Sequence, residues 1–222
     1  MQYGTEEQKK FFLPRIASGE LHFAIGYSEP GAGTDLASLR TSAVRDGDDY
    51  VINGQKMWTS LIAYADYVWL AVRTNPEAKK HRGISMVIVP TTAEGFSWTP
   101  VHTMSGVDTS ATYFQDVRVP VSMRVGDEGD GWKLITTQLN HERVMLGPAG
   151  RIGGLADRLR DWAGQAVYDG APVAEQQQVR RVIAKIAACE RLNELLNWQV
   201  AATGEISMAD AAATKVFATE RL

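Results

Sequence analysis

Two stretches of this 222-residue chain carry residue types that could do chemistry. The first is Ser28-Glu29-Pro30-Gly31-Ala32-Gly33-Thr34-Asp35, which follows an apolar run from Leu21 to Tyr27. Two glycines free the backbone, and Ser28 and Thr34 add hydroxyls. Such a loop can lay N–H groups and side-chain oxygens against a flat polar heterocycle or a pyrophosphate. Gly31-Ala32-Gly33 also suits an ordinary turn. No third glycine opens a helix, so the Rossmann dinucleotide fingerprint is disfavoured. The second stretch surrounds Glu142. At about 100° per residue it falls between Leu139 and Leu146 on an apolar helical stripe. A carboxylate facing a packed interior is expensive unless paired, hydrogen-bonded or protonated. It is either one half of a salt bridge, with Arg151 or an arginine on another helix, or a base of raised proton affinity suited to a weakly acidic C–H.

The elements that position these residues follow from periodicity. Residues 2 to 19 read as the end of a helix, with Glu6-Glu7 early, Lys9-Lys10 later and Pro14 near its close. From Leu21 to about Val121, short apolar runs alternate with Gly, Pro, Asn and Asp: Tyr50–Ile52, Tyr67–Val72, Ile84–Val89, Phe96–Val101 and Tyr113–Val119. Asp46-Gly47 and Asn53-Gly54 are hairpin signals. This spacing predicts a small barrel or sandwich. Beyond Gly126 the period becomes 3.6, predicting one helix over Gly131–Val167, a break at Asp169–Pro172, a second helix over Ala174–Ala202, and a third capped by Ser207. The fold class is α+β: an antiparallel β-barrel domain, 21–125, after a terminal helix, 1–20, and before an antiparallel α-helical bundle, 126–222.

A net charge of −3 without a Lys/Arg run argues against nucleic acid or an anionic membrane as the main partner. One cysteine, Cys189, precludes an intrachain disulfide and fits a reducing compartment; its helical spacing from Val182 and Ile186 points to packing. No apolar run reaches the ~18 residues of a membrane span, so a cytoplasmic location is expected. The four histidines show no metal-ligand spacing, and no Gly-x-Ser-x-Gly elbow is present.

GTEEQKKFFLPRIASGEL, YSEPGAGTD, DDYVINGQKMWTS and YFQDVRVP, in this order and followed by the helical half, resemble the acyl-CoA dehydrogenase family of flavoenzymes. The resemblance covers essentially the whole chain. It implies FAD as cofactor, an acyl-CoA thioester as substrate and electron-transfer flavoprotein as acceptor. The reaction implied is α,β-dehydrogenation: loss of the α-proton to a base and of the β-hydrogen as hydride to flavin N5. Ser28 takes the place of a family threonine at the flavin pyrimidine edge, and Thr34 that of a serine near the pyrophosphate. Gly33 joins the same cofactor set, Trp58 would lie against the flavin, and Ser60 would put a hydroxyl near N5. Most members carry the catalytic glutamate near their C-terminus; a minority carry it on the first bundle helix before an arginine. Asn140-His141-Glu142-Arg143-Val144 matches the minority, making Glu142 the base and placing Arg143, with Thr34, toward the substrate. Arg143 is expected to orient the helix by ion pairing. The resemblance also implies a helical domain before Met1 and more of the bundle after Leu222.

The pattern departs from the family at the turn that meets a neighbouring subunit's cofactor. Ala166 and Asp169 stand where Arg and Phe are expected before Gly170-Ala171-Pro172, and Gln176 replaces Phe ahead of the retained Gln177. An aspartate would repel a pyrophosphate. A hetero-oligomer with unequal sites is therefore expected over a homo-oligomer, as in actinobacterial members acting on steroid side-chain thioesters. Two alternatives stay open: a non-catalytic scaffold subunit, and a same-fold flavin oxidase or monooxygenase.

Overall fold

Thr5 starts the first helix. Its hydroxyl accepts from Gln8 N–H while the Gln8 side chain accepts from Thr5 N–H, a reciprocal cap at the head of α1 (Glu6–Ala17). The computed structural model describes residues 3–145, 147, 149–203 and 207–221. They form two compact units, Met1–Ile135 and Thr136–Leu222. Pro14 sits inside α1 rather than at its end.

In the first unit, eight strands form one sheet: β1 (Phe23–Gly26), β2 (Ser42–Asp46), β3 (Asp49–Lys56), β4 (Tyr67–Arg73), β5 (Ile84–Pro90), β6 (Phe96–Val101), β7 (Thr109–Pro120) and β8 (Arg124–Val125). The order β6-β7-β3-β2-β4-β5-β8 does not close into a barrel, and β1 joins it off this path, parallel to β4. The parallel pairing arises because the β2–β3 hairpin lies in the connection between them, a crossover that parallel strands require. The α+β class and the predicted strands are present. Their inward residues, among them Tyr50, Ile52, Leu70, Val87 and Phe114, form one buried core.

Of the two hairpin signals, one folds as a hairpin. Asp46 faces Asp49 across Gly47, which has φ +63°. Asn53-Gly54 instead lies within β3, where the register against β7 slips between Ile52 and Gly54. Gly54 has φ +151°, and a Cβ there would stand 2.7 Å from Thr41 Cα. The glycine serves a bulge and a close crossing of chains, not a turn.

Two contacts fasten the approach to the next helix. Gln8 Nε2 donates to the carbonyls of Ser122 (2.7 Å) and Arg124 (2.9 Å), and buried Tyr50 donates its hydroxyl to Glu128. Gly129 N–H then bonds Ser85 Oγ at 3.0 Å, and Leu134 and Ile135 are buried.

The predicted single helix over Gly131–Val167 is two, α2 (Gly131–Met145) and α3 (Ala149–Gln165). Pro148 lies between them in sequence, and a proline, having no amide hydrogen, is unfavourable inside a helix. Leu146, called for the apolar stripe, lies outside the described residues. A small hairpin, β9 (Val167–Tyr168) and β10 (Ala171–Pro172), turns the chain into α4 (Gln177–Ala202). Asp169 and Gly170, at φ +54° and +76°, occupy its two-residue turn. Ser207 caps α5 (Met208–Arg221) by accepting from Asp210 N–H at 3.0 Å.

We expect Gly54→Ala to destabilise the protein by about 1–3 kcal/mol, because it combines a conformation essentially restricted to glycine with overpacking against Thr41. Urea denaturation of the two proteins measures this, and an unchanged midpoint would show that the bulge relaxes.

Candidate active site

The glycine loop leaves β1 at Gly26, whose missing side chain lets Val68 and Leu70 approach; a Cβ would lie 2.9 and 2.8 Å from them. Tyr27 is buried and its hydroxyl accepts from Trp69 Nε1 at 3.0 Å. Half-buried Ser28 follows, and then Glu29 turns its carboxylate inward. That carboxylate accepts from Arg40 N–H (2.7 Å), Thr41 N–H (2.8 Å) and Lys56 Nζ (2.9 Å). Lys56, at the end of β3, is 0% exposed and donates also to the Tyr27 carbonyl at 3.0 Å. The next residue repeats the link: Met57 N–H donates to the Ser28 carbonyl at 2.7 Å.

Burial alone would raise the Glu29 proton affinity, but the Lys56 charge and the Thr41 and Arg40 donors outweigh it and hold the carboxyl below its ordinary 4.5. Burial pushes Lys56 down to about 8; Glu29 opposes that shift and Arg73 adds to it. Each charge has partners, which a buried ion pair requires to persist.

Trp58 then takes a left-handed backbone, φ +65°, with its indole 60% exposed. For an L residue this conformation costs about 1–2 kcal/mol. It is held from both sides, by Met57 N–H on Ser28 and by Thr59 N–H on the Ser110 carbonyl at 2.9 Å. Exposed Ser60 lies 3.4 Å from Thr109 Oγ1. Beyond it, Leu61, Tyr64, Trp98, Pro100, His102 and Val107 line a groove of about 410 Å³. Gly33 and Thr34 are exposed, and a Cβ on Gly31 or Gly33 would meet nothing within 4 Å. The protein itself does not require these glycines for packing.

Glu142 and Arg143 belong to the second unit. On α2, Leu139 and Glu142 are half-buried and His141 is exposed, but Gln138, Asn140 and Arg143 are half-buried too, so burial does not single out the expected stripe. No described residue hydrogen-bonds or ion-pairs with the Glu142 carboxylate; the side chain of Arg151, its alternative partner, lies outside the described residues. Arg143 donates to Asn140 Oδ1 at 3.1 Å on its own helix, and no ion pair joins it to another described residue. Two residues past α2, the Gly147 carbonyl accepts from Asn193 and Asn197, each at 3.1 Å. A Cβ on Gly147 would lie 2.7 Å from Ala218 Cβ, and one on Gly153 2.7 Å from Glu190 Oε1, so helix packing accounts for both glycines. Asp169 is exposed at its hairpin tip and Ala166 is half-buried.

The structure thus joins Ser28 and Trp58 through adjacent backbone bonds, with Ser60, Gly33 and Thr34 open on the same unit. Sequence reasoning missed Glu29 and Lys56. Their one signal was a lysine at an inward-facing position of the strand that carries Tyr50 and Ile52. Among the described residues, no group of His, Cys, Asp and Glu could hold a metal, and no helix is long and apolar enough to cross a membrane.

Comparison with known proteins gives the same family along both units. Residues 24–117 match the model for the acyl-CoA dehydrogenase middle domain, and residues 129–222 that for the acyl-CoA dehydrogenase C-terminal domain. The chain is 64% identical to the acyl-CoA dehydrogenase FadE26 of Mycobacterium tuberculosis, over 99% of this chain and 58% of the relative. Among solved structures, the ChsE4–ChsE5 complex from Mycobacterium tuberculosis superposes with a TM-score of 0.90 at 64% identity, covering 99% of this chain and 58% of that one. The Tcur3481–Tcur3483 steroid acyl-CoA dehydrogenase gives 0.89 at 55% identity, over 100% and 57%. The chain spans less than two thirds of the length of these relatives.

The Glu29 carboxyl holds its proton less tightly when folded than its ordinary 4.5, so it contributes stability above that value. That contribution is lost as pH falls through the folded-state value. We expect Glu29→Gln to lower stability at pH 7 by about 3–5 kcal/mol and to flatten the acid limb of a stability–pH curve below about 4.5. An acid limb as steep as the wild type's, measured by thermal melts from pH 3 to 7, would assign that limb to other carboxylates.

Proposed function

Because the chain belongs to the acyl-CoA dehydrogenase family, we propose that it carries the flavin and base machinery of an FAD-dependent acyl-CoA dehydrogenase. The observation that supports this most is the Trp58 indole, exposed in a left-handed conformation and tied through Met57 to Ser28. An apolar ring held out of the core beside a hydroxyl and open glycines fits a flat aromatic heterocycle with polar edges. Ser28, Gly33, Thr34, Trp58 and Ser60 would hold FAD. When bound, FAD supplies a hydride acceptor at N5.

The remaining chemistry falls to this chain's side chains. Glu142 takes the α-proton of an acyl-CoA thioester on a carboxylate oxygen. Its half-buried place on α2 supports that role. Trp58 covers one face of the ring and limits water there. Thr34 and Arg143 contribute on the substrate side.

The relatives support a substrate class and an assembly. A steroid side-chain thioester is the acyl group we favour, since one similar structure is described as a steroid acyl-CoA dehydrogenase. A hetero-oligomer is favoured over a homo-oligomer, since the related ChsE4 and ChsE5 form a complex. Exposed Asp169 supports unequal sites, because its negative charge would oppose a neighbour's pyrophosphate. Electron-transfer flavoprotein is the proposed acceptor.

Anaerobic addition of a steroid side-chain acyl-CoA to the flavin-loaded protein should bleach the visible absorbance of the oxidised flavin. Absence of bleaching with any acyl-CoA would favour a scaffold subunit. We expect Glu142→Gln to retain flavin and to slow bleaching by roughly 10²–10⁴-fold, the usual loss of a general base. Unchanged rates would remove Glu142 from the role. Gly33→Val should melt like the wild type, because its side chain meets open space, yet bind FAD at least about tenfold more weakly. Equal affinity in a fluorescence titration would separate Gly33 from the cofactor.

A further inference from the structure

We infer that the buried Glu29–Lys56 pair is a positioning device for the flavin site: it fixes the spacing at which Ser28 and Trp58 meet the ring. The inference rests on the flavin reading above and names residues that contact no flavin themselves. Three consecutive loop residues are bonded to the end of β3 or the residue after it. Tyr27 accepts from Lys56 through its carbonyl, Ser28 accepts from Met57 N–H, and Glu29 accepts from Lys56 through its carboxylate. The middle residue is the one offered to the pyrimidine edge. The other side of the clamp leads directly into Trp58.

The pair does what a strand ladder does elsewhere. From Tyr27 to Asp35 the chain joins no strand ladder; its backbone bonds include the local bridge between Glu29 and Ala32 and the Met57–Ser28 contact. Without the side-chain anchors on either side of it, Ser28 would be tied to the end of β3 by the Met57 bond alone. Glu29 adds a second tie by accepting from Arg40 and Thr41 at the loop's far end. Stability alone does not call for charges here, since a well-packed apolar pair of similar volume is often as stable as a buried ion pair. What the charges add is direction. Lys56 offers a rotatable ammonium that bonds the residues on both sides of Ser28, which an apolar side chain cannot do. The lowered proton affinity of Lys56 agrees with so complete an enclosure.

A pre-ordered loop binds without first being ordered, and its hydrogen bonds at the flavin edge bear on the charge that reduction places there. The test uses the full chain, together with any subunit that co-purifies with it. Single variants Lys56→Met and Glu29→Gln leave one buried group unpaired, so the double variant Glu29→Gln/Lys56→Met removes both charges and decides the question where a single variant does not fold. Three quantities are read: hydrogen exchange at Met57 without added flavin, FAD affinity by equilibrium dialysis, and midpoint potential at saturating FAD. We expect the double variant to melt near the wild-type temperature, to exchange the Met57 amide faster, to bind FAD about tenfold more weakly, and to show a shifted potential. Wild-type affinity and potential in the double variant would overturn the inference whether or not exchange at Met57 changes, since the pair would then serve packing alone. If the wild type itself takes up no FAD, the flavin reading fails and the inference falls with it.

Discussion

A carboxylate and an ammonium removed from water hold the most exposed-looking loop of this protein in place. Taking either ion into a protein interior costs several kcal/mol, and mutual attraction offsets this only when the remaining lone pairs and protons find partners. Glu29 and Lys56 meet that condition, with two backbone N–H groups and one backbone carbonyl completing the set. The loop from Ser28 to Asp35 otherwise follows neither strand nor helix. Its conformation is thus dictated by side chains anchored in the sheet. This differs from the outer strands, where the ladder itself fixes the chain. It also explains why the glycines there face open space: the loop is shaped from beneath, and its upper surface stays free.

The same economy runs through the residues after β3. An exposed indole in a left-handed conformation is unfavourable twice over, in hydration and in backbone strain. Neither cost is offset by contacts of the ring with the described core. They are absorbed by the hydrogen bonds on either side, through Met57 and Thr59. Leu61 repeats the pattern, with φ +61° and a side chain left exposed. Strain concentrated in one short segment, beside a groove with apolar walls, marks a surface shaped for contact with something other than this core.

What the sequence discloses, and what it conceals, divides along physical lines. Strands read well because half-buried β structure imposes period two, and Tyr67–Val72 or Ile84–Val89 admit little else. The helix carrying Leu139 and Glu142 reads well for the same reason at period 3.6. Asn53-Gly54 misleads because the dipeptide that favours a tight turn also favours any positive-φ glycine, and a bulge over Thr41 supplies one. Pro148 should end a helix, yet an unbroken apolar period on either side disguises the break. Lys56 is the instructive omission. Its neighbours Gln55 and Met57 are ordinary, and its partner lies 27 residues away; local patterns carry no information about such a pairing. Only a lysine at an inward-facing strand position, flanked by buried Ile52 and Tyr50 on the same face, hinted at it.

The second unit places a different demand on Glu142. Its carboxylate is half-buried and draws on no described donor, whereas Asn193 and Asn197 direct their amides to the Gly147 carbonyl just beyond the same helix. Polar groups inside a bundle normally satisfy the nearest acid first, since an unpaired buried acceptor costs about 1–3 kcal/mol. Here they satisfy a backbone carbonyl between the two helices. A helix interrupted by proline loses carbonyl partners at its end, and two asparagines one turn apart on α4 replace them.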